Sequence, residues 1–372
     1  MSVRTAFLKL HLWVGLAAAV LVCLIAVTGA LLVFEGEIDR ALNPKLLIVA
    51  PQSQNRPLTE LLANVRQRFK GNTPTNVLVQ ARPDLAWPVS LAKNGTAAYI
   101  NPHTGEITGS RIRDAAFVVK VHRLHTSLLA GRKGQILVGV ATAGLIFLMM
   151  TGLILWWKRK LLAIKTDGSW RRINFDLHHV SGIYSIVFLF VIVGTGLLMS
   201  FHDQLIPVVE VFIGNTAKER PKQRPESTAP QQQGTPAITA DRALQIAQSQ
   251  LPGASPTYLF LPVGPKATYD FGFKFPEDGT PGGRSRVVLD QYSGAVLWLD
   301  NARKVTTGVK FSNNLRPLHT GDLYGWPSRI LYALAAFSVF IQAISGIVIW
   351  ALRFFRKKNN VPTPATDAIE VA

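Results

Sequence analysis

Cysteine is nearly absent from this chain: a single residue, Cys23, stands among 372. Disulfides are thereby excluded from any domain it builds. So are covalent haem attachment through CxxCH and a four-thiolate iron–sulfur cluster. No GxGxxG follows a strand-like run, so no dinucleotide fold is evident. Charge is scarce too, 17% of residues against 48% hydrophobic, a balance too apolar for an ordinary soluble protein. Acidic residues are the scarcer sign, 22 against 40 basic, for a net charge of +18. In a soluble domain that excess would suggest nucleic acid. Here six Lys/Arg fall within the fifteen residues "KRKLLAIKTDGSWRR" between two apolar runs. That placement is better explained by a membrane, and no nucleic-acid partner is expected.

What the chain does have is four apolar runs, Leu12–Phe34, Ile136–Trp157, Val180–Phe201 and Ile330–Leu352, each about the 20 residues a bilayer requires. Arg4 and Lys9 precede the first run as they would in a signal peptide. The run is longer than an h-region of roughly 7–15 residues, however, and its pattern recurs inside the chain. Short basic loops stay in the cytoplasm, so both termini and the 158–173 loop are expected inside and the two long segments outside. The resulting organisation is 1–34 (first transmembrane helix), 35–118 (first outer domain) and 119–157 (second helix with an outer extension), then 158–173 (basic loop) and 174–203 (third helix). There follow 204–312 (second outer domain with a flexible, Pro/Gln-rich insertion at 218–236), 313–353 (fourth helix with an outer extension) and 354–372 (inner tail).

The text is written twice. His11 is followed by Gly15 at +4 and Thr28-Gly29 at +17 and +18; His178 is followed by Gly182 and Thr195-Gly196 at the same offsets. His125 aligns with His319 ("LHTSLLAG" on "LHTGDLYG"), with Gly152 and Gly346 both at +27. The outer segments repeat more loosely. Each has a helix ("LTELLANVRQRF", "TADRALQIAQSQL") before alternating strands, the last two joined at "NPHTGE" or "DQYSGA", where Gly105 and Gly294 suit a tight turn. The expected fold is an α-helical membrane protein, a four-helix transmembrane bundle from a tandem parallel repeat, carrying two outer α+β domains.

A lone membrane-boundary histidine is ordinarily interfacial, and a lone span glycine ordinarily packs helices. Repetition changes that reading. Two symmetry-related histidines can take both axial positions of one haem iron, which makes His11 with His178 an inner pair and His125 with His319 an outer pair. Gly15 and Gly182, one turn along from their histidines, give a flat macrocycle room. Gly152 and Gly346 line the inner haem, Gly29 and Gly196 the outer one. His179 is a second-shell group or a substitute ligand, and His122 the chief rival to His125. His202 contacts a propionate or substrate, and His103 is an ordinary turn residue. Arg123, Arg132, Lys133, Arg316 and Arg329 lie near the outer histidines and suit propionates or an anionic substrate. If the chain is helical there, the outer pair stands about eleven residues, roughly 16 Å, before its apolar runs, at the membrane surface.

The segments "LHLWVGL…VTGALL", "LHTSLLAGRKG…TGLILWWKRK", "DLHHVSGI…GTGLLMS" and "LHTGDLYGWPSR…SGIVIWALR" together resemble the PepSY-associated transmembrane family over nearly the whole chain. The resemblance implies outer domains of PepSY type, periplasmic, on a protein of the bacterial inner membrane. It also implies b-type haem, hence two haems b here, and reduction of ferric siderophores such as ferrioxamine to release Fe(II). The electron donor is left open between quinol and a cytoplasmic reductase. Because PepSY modules are associated with peptidase regulation, a membrane-anchored regulatory or binding protein without redox activity is the first alternative. A haem or metal permease is the second.

Overall fold

A computed structural model of the chain describes residues 2–158, 160–213, 225–228 and 236–359. The insertion expected at 218–236 lies outside the described residues except for 225–228 and 236, and the tail expected at 354–372 is described only to 359. In chain order the helices are α1 (Val3–Leu32), α2 (Glu35–Leu42), α3 (Pro44–Leu47), α4 (Leu58–Arg68), α5 (Phe117–Ser127) and α6 (Gly131–Trp157). They continue with α7 (Trp170–Ser200), α8 (His202–Phe212), α9 (Ala240–Gln250), α10 (Thr307–Thr320) and α11 (Trp326–Asn359). Strands β1 (Pro74–Leu78), β2 (Trp87–Leu91), β3 (Thr96–Ile100) and β4 (Ile107–Ile112) follow α4. Strands β5 (Ser255–Phe260), β6 (Thr268–Lys274), β7 (Ser285–Asp290) and β8 (Val296–Asp300) follow α9. Two compact units result. One comprises Met1–Ala30, His125–Leu197 and Ile330–Ala372; the other comprises Leu31–Leu124 and Leu198–Arg329.

The first unit is a helical bundle. Its α1, α6, α7 and α11 are each long and apolar enough to cross a membrane. Small and branched side chains (Val22, Ala26, Ala141, Val193, Ala335, Val339) meet at its centre with Met149 and Leu189. Large apolar residues such as Trp13, Val20, Val187 and Leu334 face outward and are exposed. Apolar inside and out is the pattern of helices solvated by lipid. Between α5 and α6 the chain breaks at Leu128 and Leu129, both at positive φ. The carbonyl of Ser127 then comes so close to α6 that a Cβ at Gly134 would overlap it, 1.8 Å away. The continuous helix expected from His125 into the second span is therefore a helix, a break and a new helix.

The second unit is built on one antiparallel sheet, ordered β4-β3-β2-β1-β5-β6-β7-β8 among the described residues. Two segments expected as separate domains thus share a sheet, joined at its middle by β1 and β5 with Val77 opposite Leu259. Each half has the same order, a helix and then four strands. Bulges occur in the β1–β2 and β5–β6 pairings and again in β3–β4 and β7–β8. Both expected turns form: Gly105 and Gly294 take positive φ, and their N–H groups donate to Asn101 and Asp290 carbonyls at 2.9 and 3.0 Å. Helices α4 and α9 cover one face, where Leu62, Val65, Ala243, Ala247, Leu251, Phe271 and Phe273 are fully or almost fully buried.

The halves are also tied through their helices. Pro57 precedes α4 and offers no side-chain cap. Instead, the Asp241 carboxylate of α9 accepts from the N–H groups of Leu58 and Thr59 at 2.7 and 3.0 Å. A carboxylate at a helix N-terminus satisfies orphan donors and meets the positive end of the dipole. Asp241→Ala should cost about 1–2 kcal/mol. The check is the melting temperature of the β-sheet signal in detergent-solubilised protein, with Asp241→Asn expected to lose less.

Candidate functional site

His11 and His178 face one another inside the bundle. Their ring centres are 6.4 Å apart and their planes are 88° from parallel. Each is the ninth residue of its helix, counting from Val3 in α1 and Trp170 in α7. Eight residues of helix at 1.5 Å each put both about 12 Å from the helix start. Both line a cavity between the helices, and polar flanks such as Arg4 and Lys9, or Arg172, Asn174 and Asp176, continue each helix before them.

Each ring is held by a helix other than its own. His11 Nδ1 lies 2.9 Å from Thr151 Oγ1 of α6. His178 Nδ1 lies 3.0 Å from the carbonyl of Gln342 and 3.0 Å from Ser345 Oγ, both on α11. The expected glycines are where the rings need them. A Cβ at Gly152 would come 3.4 Å from Cε1 of His11, and a Cβ at Gly346 the same distance from Cε1 of His178. Gly15 and Gly182 line the same cavity.

The cavity between the helices measures about 480 Å³, within the roughly 300–1,000 Å³ usual for cofactor and ligand pockets. Its wall includes both histidines, His179, Phe175, Trp156, Leu148, Met149 and Gln342. Arg4, Lys9 and Arg353 also border it, and no carboxylate among the described residues does. Two imidazoles this close could both reach one metal ion placed between them. Among the described residues no three His, Cys, Asp or Glu side chains cluster as ligands for a bare metal ion. The apolar lining, the glycines and the cations at the edge are residues that could hold a haem and its two carboxylates.

Of the other expected residues, His179 lines this cavity beside His178, its ring 4.2 Å from Phe175 and its Nδ1 donating to the Phe175 carbonyl at 2.9 Å. His125 sits at the other end of α1. Its Nδ1 donates to the Ile25 carbonyl at 2.9 Å and lies 3.2 Å from Thr28 Oγ1. A Cβ at Gly29 would come within 3.0 Å of its Cε1. His125 therefore packs beside the last turns of a spanning helix, which corrects the 16 Å offset derived from an unbroken helix. Gly196 lies in the C-terminal part of α7. His122, His202 and His319 belong to the other unit. His122 is exposed on α5 and His202 begins α8 next to Asp203. His319 is on α10, which ends at left-handed Gly321. His103 is more than a turn residue: it is buried, its nitrogens 3.0 and 2.8 Å from the Gln54 and Pro83 carbonyls, pinning two loops.

Arg132 stands in the first turn of α6 and donates to Gln135 at 3.1 Å. Arg329 is committed elsewhere. It pairs bidentately with Glu37 at 3.1 and 2.7 Å, donates to the Val33 carbonyl, and stacks over Trp326 and Phe34. Its guanidinium holds the Glu37 carboxyl below the usual carboxylate range. With these partners Arg329 is an anchor of its own unit. Arg123 and Arg316 likewise pair with Asp114 and Glu35.

Thr151, Ser345, Gln342, Arg4, Lys9 and Arg353 were not singled out from sequence. A signal for the hydroxyls existed: every spanning helix carries a hydroxyl–glycine pair, Thr28-Gly29, Thr151-Gly152, Thr195-Gly196 and Ser345-Gly346, with Ser181-Gly182 as a second on α7. A comparison with curated proteins returns no match. The family model described as the PepSY-associated TM region matches residues 8–353. Four spanning helices, the histidine and glycine motifs they carry and this match over nearly the whole length lead to one conclusion: the chain belongs to the PepSY-associated transmembrane family.

Proposed function

We propose that this protein is a transmembrane dihaem b oxidoreductase that passes electrons across the bacterial inner membrane to periplasmic ferric siderophores such as ferrioxamine. The observation that carries this reading is the opposed pair of His11 and His178, 6.4 Å apart across a cavity edged by cations. Haem iron held there would supply reversible one-electron exchange. The chain contributes the two imidazoles, the glycine floor of Gly152 and Gly346, and Arg4, Lys9 and Arg353 as partners for propionates. Leu148, Met149 and Phe175 line the cavity and would shield a bound haem from water.

A second centre at His125 and His319 rests on the sequence repeat, together with the way His125 is held by Thr28 and Gly29 just as His11 is by Thr151 and Gly152. The matching helix-and-four-strand halves of the sheet unit support a tandem repeat. The basic 158–173 loop supports an orientation with both termini cytoplasmic. In that orientation one electron, drawn from quinol or a cytoplasmic reductase, converts each Fe(III) chelate to Fe(II). Fe(II) is the softer ion and leaves hard oxygen ligands more readily.

The test is the visible spectrum of the purified protein with haem counted per chain. Bis-histidine haem b, two per chain and shifting on reduction, is expected. Protein that stays colourless after expression with ample haem rules the reading out.

A further inference from the structure

We propose that Thr151 and Ser345 are positioning residues that fix the tautomer and plane of the two axial imidazoles, an inference that rests on the haem reading. A span threonine or serine usually satisfies its hydroxyl proton on the carbonyl one turn back. Thr151 does so, donating to Phe147 at 2.9 Å, and Ser345 donates to Ile341 at 2.7 Å. With its single proton used, each hydroxyl can only accept from the imidazole beside it. His11 Nδ1 at 2.9 Å and His178 Nδ1 at 3.0 Å must then carry the hydrogen. The Gln342 carbonyl, an acceptor only, demands the same of His178. In each ring the lone pair is left on Nε2, the atom that must meet a metal.

The glycine following each hydroxyl completes the seat. Gly152 and Gly346 let the Cε1 edge of the ring lie where a side chain would stand, 3.4 Å from a Cβ position. One hydrogen bond and one flat contact together fix the rotation of the ring. The same construction recurs at His125: Thr28 donates to the Leu24 carbonyl at 2.7 Å, and Ile25 and Thr28 accept from Nδ1. Three occurrences on three helices make this a recurrent device of the bundle. For the His11–His178 pair the device sets the planes 88° apart. Were both rings to hold a haem iron, perpendicular planes would leave the d orbitals that interact with the imidazoles nearly degenerate, and the ferric low-spin state would show a strongly anisotropic EPR signal.

The seats are unequal. Among the described residues His11 Nδ1 has the Thr151 hydroxyl as its one partner, whereas His178 keeps the Gln342 carbonyl if Ser345 is lost. Thr151→Val, similar in shape but without an acceptor, should therefore weaken haem retention about 10–100-fold and collapse the anisotropic signal toward an ordinary low-spin one. Thr151→Ser should restore both, and Ser345→Ala should change each less than Thr151→Val does. The measurement is EPR of the ferric protein with haem retention under apo-myoglobin competition. The signal is assigned by its loss in His178→Ala. Haem-loaded wild type whose signal and retention are unchanged in Thr151→Val overturns this proposal and leaves the haem reading standing. Wild type that binds no haem overturns the haem reading itself.

Discussion

His178→Ala is expected to remove one of two haems, halving the Soret absorbance per chain while the second haem keeps its reduced spectrum. The cavity brings two imidazoles together, the pair proposed as axial ligands, and among the described residues no group of three His, Cys, Asp or Glu side chains forms a metal site. An alanine there leaves His11 alone on one face and a void on the other. His11→Ala should give the same loss from the opposite side. His179→Ala is the informative companion. Its ring lies 5.7 Å from that of His178, but it packs on Phe175 of its own helix. Haem retained in His179→Ala and lost in His178→Ala supports the pairing. The reverse result transfers the ligand role to His179, and two haems surviving all three substitutions defeats the assignment.

The second large effect is on electron delivery. Reduced protein mixed with ferrioxamine in the absence of oxygen should reoxidise, with Fe(II) trapped by a chelator in a one-to-one ratio with the electrons lost. His125→Ala or His319→Ala should slow that reoxidation by more than the roughly 10–100-fold that losing an outer-shell partner costs. Either one removes a proposed axial ligand and leaves the His11–His178 pair intact. Protein that stays reduced in the presence of the ferric chelate contradicts the reductase function without touching haem binding. Reoxidation at an unchanged rate in both variants contradicts the role of the second pair.

Much of the site was legible because helical geometry is local. An apolar run long enough to span, a histidine, and glycines at +4 and on the partner spans are statements about one helix at a time, and repetition sharpened them. Local geometry misleads where a helix breaks. Nothing in "LHTSLLAGRKG" announced that Leu128 and Leu129 would take positive φ, so the depth of His125 came out wrong. It also falls short wherever a side chain has rivals for its attention. Arg329 reads as a free cation in sequence, yet Glu37, Val33, Phe34 and Trp326 claim it.

By itself the sequence determined the four spans, the equivalence of His11 with His178, and the helix-then-strands order of each outer half. These follow from hydropathy, periodicity and turn chemistry, which depend on residues close in the chain. Only the tertiary structure decided which hydroxyl meets which imidazole, that Asp241 caps α4, and that β1 joins β5 to make one sheet of two halves. Those contacts link residues 97 or more positions apart. They depend on the rotation and register of whole helices and strands, which only the packing of the rest of the unit sets.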